Sequence, residues 1–175
     1  YGNVRGLELK LDYSFNNLFI QTNYTYQFTR GNADNPAQTF NRQGASIDEV
    51  IRFIPMSWDQ RHTFNLSLGY NTALYGITAT GYYNSGTPYT FSPQGESNLA
   101  LLNLYPNNDY KPSNYYMDLS GYINLPKLFG VSSRLDFLVY NLTDRYNEYG
   151  VSSETGRAYT AVVNETELLS HRSNF

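Results

Sequence analysis

At 175 residues, 41% of them hydrophobic, and with a mean hydropathy of −0.51, the chain has the length of one domain. That average does not separate a soluble fold from one that crosses a membrane with strands, in which only alternate residues are apolar. A net charge of −3, with 12 Lys and Arg scattered along the chain, supplies no basic field for nucleic acid, and zero cysteines exclude disulfides and thiolate metal sites.

From Gly6 to Phe15 the odd positions read Leu7, Leu9, Leu11, Tyr13 and Phe15, and the even ones Gly6, Glu8, Lys10, Asp12 and Ser14. Side chains alternate faces along a strand, so one face is apolar from end to end and the other carries a row of charges. About ten residues at ~3.3 Å each, tilted by ~40°, give a height of ~25 Å, which is the apolar band of an outer-membrane barrel. Soluble strands usually stop at about five or six residues.

Asn16-Asn17 supplies a two-residue hairpin turn, and the return strand, Leu18 to Phe28, sets Leu18, Ile20, Thr22, Tyr24, Tyr26 and Phe28 against Phe19, Gln21, Asn23, Thr25 and Gln27. A polar stretch from Thr29 to Asp59 follows, with Ser46 to Ile51 read as a short helix inside it. The third strand, Gln60 to Tyr70, and the fourth, Leu74 to Asn84, flank a tight turn at Asn71-Thr72-Ala73. A second long polar connection, Ser85 to Ser113, leads to the fifth strand, Asn114 to Asn124. Leu125 to Gly130 is read as the turn into the sixth strand, Val131 to Leu142. From Thr143 to Phe175 no comparable alternation recurs, although Arg157 to Val163 reads as strand-like.

Short and long connections therefore alternate, as periplasmic turns and extracellular loops do in a barrel. The expected fold is all-β: an antiparallel transmembrane β-barrel segment of roughly six long strands, too few to close alone and so part of a larger barrel. No apolar run approaches the ~18 residues of a membrane helix.

Three segments resemble the C-terminal barrel region of TonB-dependent outer-membrane receptors. Pro55-Met56-Ser57-Trp58-Asp59-Gln60-Arg61-His62-Thr63-Phe64 resembles the family's loop-to-strand Asp-x-Arg-His element. Ser85-Gly86-Thr87-Pro88-Tyr89-Thr90 resembles its Ser-Gly-x-Pro-Tyr-Thr, where a strand leaves the membrane. Tyr140-Asn141-Leu142-Thr143-Asp144-Arg145-Tyr146 resembles its Asn-Leu-Phe-Asp-x-x-Tyr, with Thr143 where Phe is usual.

The resemblance covers Tyr1 to about Tyr159. It implies a Gram-negative outer-membrane barrel of about 22 strands, of which residues 1–175 are a partial C-terminal domain without the N-terminal plug, the TonB-contacting box or the final strand. The implied activity is energy-coupled import of a scarce solute: a siderophore, cobalamin or an oligosaccharide. The implied partners are outer-membrane lipid, the TonB complex through the missing plug, and that small-molecule or oligosaccharide cargo. The alternatives are a non-transport barrel, such as an adhesin or porin, and a soluble all-β carbohydrate-binding module.

No enzymatic chemistry and no cofactor is expected. His62 falls on the apolar parity at a strand end and reads as an interfacial ring, and His171 lies in an unpatterned tail. Glu8, Lys10, Asp12, Arg61, Asp118, Arg134 and Asp136 share the polar parity and read as the wall of a wet lumen rather than as catalytic acids and bases. Asn32, Asp34 and Asn35 carry Ca²⁺-type oxygens but lack EF-hand spacing, which favours a solvated turn. The candidate ligand-binding residues are the loop aromatics Trp58, Tyr89, Phe91, Tyr105 and Tyr110; stacking on a ligand and anchoring at the membrane interface compete for them on equal terms.

Overall fold

The computed structural model describes residues 2–45, 52–92 and 105–158. Strands β1 (Gly2–Phe15) and β2 (Leu18–Gly31) form a hairpin paired along its whole length, from Phe15 opposite Leu18 to Gly2 opposite Gly31. Its turn rests on Asn16 at φ +52°, a left-handed conformation that Asn accepts more readily than most residues. Both strands run further than the alternation predicted, by four residues in β1 and three in β2, because Gly2 to Arg5 continue to find partners in Phe28 to Gly31.

The long connection that follows is ordered at its start. Helix α1 (Pro36–Gly44) begins at Asn35, whose Oδ1 accepts from Gln38 N at 2.9 Å, while Gln38 Oε1 accepts from Asp34 N at 2.7 Å. This is reciprocal capping around a Pro-started helix. The helix expected over Ser46 to Ile51 lies outside the described residues. A two-residue strand β3 (Ile54–Pro55) pairs with the end of β2 before β4 (His62–Asn71) begins.

Strand β5 (Tyr75–Asn84) follows a turn in which Thr72 Oγ1 donates to Tyr75 O and accepts from Tyr75 N. The second long connection carries a small ribbon of β6 (Pro88–Tyr89) and β7 (Asp109–Tyr110). Strand β8 (Asn114–Leu128) overruns the expected turn: pairing resumes at Leu128 opposite Val131, with a register irregularity between Leu125 and Leu128. Pro126 has no amide hydrogen for the ladder, which accounts for the irregularity at that point. The actual turn is Phe129-Gly130, with φ of +50° and +82°. Strand β9 (Val131–Val139) stops three residues short of the predicted Leu142, because Asn141 turns the chain at φ +49°. Arg157 and Ala158 are not strand, and residues 159–163 lie outside the described set.

The six long strands make one antiparallel sheet in the order β1-β2-β4-β5-β8-β9, every neighbour being the next long strand in the chain. The protein is therefore all-β, and the sheet is open, with β1 and β9 as its edges. The register keeps like with like. Across one row, Leu9, Tyr24, Phe64, Tyr83 and Tyr115 are successive partners, and across another Tyr13, Ile20, Leu68, Ala79, Leu119 and Val139. The opposite face runs Lys10, Asn23, Asn65, Tyr82, Tyr116. One parity error along any ladder would mix the two faces; the register holds through the body of the sheet and slips by one residue at the turn end of β8–β9, where Leu128 stands opposite Val131.

Strand ends are staggered in one direction. In the row Phe15, Leu18, Tyr70, Ile77, Gly121, Phe137, the first hairpin has already turned, whereas β8 continues from Gly121 to Leu128 and β9 starts back at Val131. At the other end the strands stop earlier from one edge of the sheet to the other: β2 at Gly31, β4 at His62 opposite Tyr26, β5 and β8 level at Asn84 opposite Asn114, and β9 at Val139 opposite Leu119. The drift is roughly one to two residues per strand, an inclination of roughly 35–55° between the strands and the sheet's rim.

Nothing among the described residues covers the apolar face. Among the described residues the buried hydrophobic side chains are Ile54 and Met56, both in a connection, while Leu7, Leu9 and Leu11 are each more than half exposed. A sheet in water normally buries one face against a second layer, and the described residues supply none.

Candidate functional site

The polar face is concave. Lys10 and Asp12 of β1, Asn23 of β2, Asn65 and Ser67 of β4, Thr80 and Tyr82 of β5, and Tyr116 and Asp118 of β8 border one cleft of about 450 Å³. Side chains drawn from five successive strands share a cleft only where the sheet curls toward that side. Two ion pairs lie on this face: Lys10 with Asp12 at 3.0 Å in the cleft, and Arg134 with Asp136 at 2.7 Å on β9, both well exposed. Such exposed pairs contribute little stability, about 0–1 kcal/mol each. The Tyr82 and Tyr116 rings lie 4.9 Å apart on the same wall. This is a polar, hydrogen-bonding surface with two rings, suited to hydrated solutes, and it holds no arrangement of nucleophile and base.

At the end of the sheet that bears the long connections, the segment from Pro55 to Phe64 builds a lock. Asp59 is fully buried, and its carboxylate accepts from Thr29 N at 2.6 Å, Arg61 Nε at 3.0 Å and Tyr110 OH at 3.1 Å. Arg61 also donates to Tyr110 OH at 2.7 Å, and its guanidinium lies 4.5 Å from the centroid of Phe28. Burial alone lowers the Arg61 pKa, but the bond and charge of Asp59, together with Tyr110, carry it above its ordinary value. Burial raises the Tyr110 phenol; Arg61 opposes and Asp59 reinforces that rise. Arg61 was expected on the lumen wall, and the structure instead places it in this rim lock. The sequence signal was present as Asp59 two residues before Arg61, but Tyr110 lies 49 residues beyond Arg61 and could not be read as its partner.

The segment Ser85 to Thr90 fixes the second connection. Ser85 exchanges main-chain and side-chain bonds with His62, its N donating to His62 O at 2.8 Å and its Oγ accepting from His62 N at 3.0 Å. A side chain at Gly86 would collide with the carbonyl of Lys111, so glycine is required for the close approach of the strands that follow. The segment Tyr140 to Tyr146 folds back on β8: Leu142 N donates to Met117 O at 2.6 Å, Asn141 N to Asp118 Oδ1 at 2.8 Å, and Asn141 Oδ1 accepts from Arg145 N at 3.2 Å. Asn147 then pairs both its amide groups with the backbone of Tyr115, standing in for a strand partner where β9 has ended.

The three connections are laced into one rim. Asn107, buried, donates to Asp34 and to Pro55 O at 3.0 Å, and Ser92 N donates to Ser153 O at 2.7 Å. Arg157 grips Glu148 through Nε and Nη2, and Ala158 N donates to the same carboxylate at 2.7 Å. Burial opposes the charged form of Glu148, yet Arg157, Ala158 N and the more remote Arg145 together hold its pKa below the ordinary value.

The five candidate aromatics do not form one cluster. Tyr110 belongs to the Asp59 lock, and Tyr105 stacks under Arg52 at 4.3 Å and accepts from it. Tyr89 and Phe91 meet edge to face at 6.3 Å, with burial and the nearby Asp109 raising the Tyr89 phenol. Trp58 is about half exposed at a turn of the first connection. His62 lies between Tyr24 and Tyr26, its Nδ1 2.8 Å from Tyr24 OH. Asp34 and Asn35, considered as cation ligands, are occupied by Ser57 N, Asn107 and the helix cap. Among the described residues there is no group of three or more His, Asp or Glu placed to hold a metal, and no helix long and apolar enough to cross a membrane.

Comparisons with protein-family models, with curated proteins and with solved structures each returned no match.

Proposed function

We propose that this chain is part of the wall of an outer-membrane β-barrel, with its apolar face against lipid, its polar trough lining an aqueous lumen and its laced connections at the extracellular mouth. The observation that carries the reading is the uncovered apolar face, continuous in register across six strands. At ~4.8 Å per strand and ~25 Å of height it spans roughly 700 Å², above the ~300–600 Å² of the largest patch on a typical soluble monomer.

The composition of that face is banded. Tyr24, Tyr26, Phe28, Phe64, Tyr83 and Tyr115 lie toward the connections, and Phe15, Tyr70 and Tyr75 toward the tight turns. Between them come Leu11, Ile20, Leu66, Leu68, Ala79, Met117 and Leu119. Two aromatic girdles around an aliphatic belt are what a strand wall needs at two bilayer interfaces. The stagger of the strand ends brackets the 35–45° tilt of closed barrels, and the open edges β1 and β9 require further strands, since unpaired backbone is untenable in hydrocarbon.

Within that class, the resemblance of three rim segments to TonB-dependent receptors favours an energy-coupled importer of a scarce solute. Support comes from their convergence at one end, where Asp59, Gly86 and Asn141 each perform a structural task that their neighbours could not. Spin labels scanned through residues 7 to 15 of the full-length chain test the barrel wall: accessibility to oxygen and to a nickel chelate should alternate with a period of two. A flat profile would sink it. Uptake of a siderophore, cobalamin or oligosaccharide that stops on collapse of the proton gradient tests the importer; uptake insensitive to the gradient points to a passive pore.

A further inference from the structure

The outward face carries two cations just beyond the aromatic girdle, and neither has an anion among the described residues. Arg5 and Arg30 share the apolar parity of β1 and β2; Arg30 stands opposite Asn3 and Arg5 opposite Phe28, so the two are diagonal neighbours with Cβ atoms about 7–8 Å apart. Both are exposed, and among the described residues no carboxylate comes within ion-pair distance of either. Arg5 Nε donates to Asn3 Oδ1 at 3.1 Å, which holds the guanidinium and leaves its other nitrogens open. Beneath them Leu7, Tyr26, Phe28 and Phe53 floor a groove of about 680 Å³ that also reaches both arginines. Tyr26 and Phe28 are braced edge to face at 4.8 Å.

We infer that this groove seats a phosphate-bearing membrane lipid, its phosphate between Arg5 and Arg30 and an acyl chain along Leu7, Tyr26 and Phe28. The inference rests on the apolar face lying in a bilayer and deepens that reading by naming the lipid chemistry. Two like charges held side by side repel each other, and an anion placed between them converts that repulsion into two charge-assisted attractions. Guanidinium groups match phosphate oxygens in planar, two-point fashion. A free anion would use the cations but leave the apolar floor wet, whereas a neutral lipid would use the floor but not the cations. Only a molecule with both parts satisfies the whole groove. Its height also fits, because the arginines follow Leu7 and Phe28 immediately along each strand, where headgroups succeed acyl chains.

The test is native mass spectrometry of the full-length chain in detergent, titrated with dioleoyl phosphatidic acid, with dioleoylglycerol of the same chains, and with inorganic phosphate. Wild type should retain phosphatidic acid roughly ten- to a hundredfold better than dioleoylglycerol, as expected for the loss of one or two charge-assisted contacts. In Arg5→Gln/Arg30→Gln that preference should vanish while dioleoylglycerol retention stays unchanged. Lys10→Gln, on the opposite face, should keep the preference. Equal retention of the two lipids by wild type, or undiminished preference in the double variant, overturns the proposal. Inorganic phosphate displacing phosphatidic acid at matching concentration also overturns it, by assigning the site to a free anion. A chain that inserts with the two-residue rhythm but shows no phosphate preference refutes this inference alone; one that does not insert refutes the bilayer reading beneath it.

Discussion

Asp59 shows how a single residue type sets the design of the rim. A carboxylate with no solvent contact survives only where donors surround it, and Thr29 N, Arg61 and Tyr110 provide three from three separate segments. Arg61→Gln leaves that charge without its cation and should cost about 3–5 kcal/mol, measured as a fall in denaturant midpoint, with Arg61→Lys recovering part of the loss. Tyr110→Phe removes one neutral donor and should cost less, about 1.5–3 kcal/mol. Glu148 makes a second such point, with a pH signature. Its carboxyl pKa is lower folded than unfolded, so its stabilisation is complete above the unfolded value of about 4.3 and is lost as pH falls through the folded one. The protection factor of the Ala158 amide, which donates to Glu148, should therefore be constant from neutral pH down to about 5 and fall only as the pH passes below the ordinary carboxylate range of about 4.3. Glu148→Gln should abolish that acid step; an unchanged step would assign it elsewhere.

At the scale of elements, what the sequence discloses and what it hides have one cause. Alternation over ten residues is a local signal, so all six long strands, their faces and the Asn16-Asn17 turn were legible without coordinates. Where the structure departs, the deciding interaction comes from far along the chain or from the backbone itself. The extension of β2 to Gly31 depends on Gly2 to Arg5, and the early end of β9 depends on Asn141 adopting positive φ and bonding Asp118. Helix α1 could have been read from Asn35-Pro36 followed by Gln38, which is a capping signature. The rim was legible only as motifs; that Tyr105 and Tyr110 are engaged by Arg52 and Arg61 needs the folded connections. The prediction that belongs here contrasts neighbours on one strand. In the proposed barrel, Leu11→Arg, mid-belt on the apolar face, should lower stability by ~2–4 kcal/mol in lipid, whereas Lys10→Arg, on the polar face beside Asp12, should change it by less than ~0.5 kcal/mol. Equal cost at the two positions would contradict the assignment of faces.

For the whole molecule the stagger matters more than any single contact. Six strands with level ends would describe a flat antiparallel sheet, which fits a sandwich half as well as a barrel wall; six strands whose ends drift in one direction lean against their own rim. Leaning is what lets a sheet close on itself, because closure requires the register to advance around the circumference. The concave polar trough, bordered by β1 through β8, bends the same way. Curl, stagger and banding are three separate observations: a shared cleft, the pairing register and the residue types along each strand. Their agreement gives a measurable orientation. In aligned bilayers, polarised infrared absorption of the amide I band from the full-length chain should place the strands about 40° from the membrane normal. Strands near 90° would mean a sheet lying on the surface with its apolar face down, and the lumen would then have no wall.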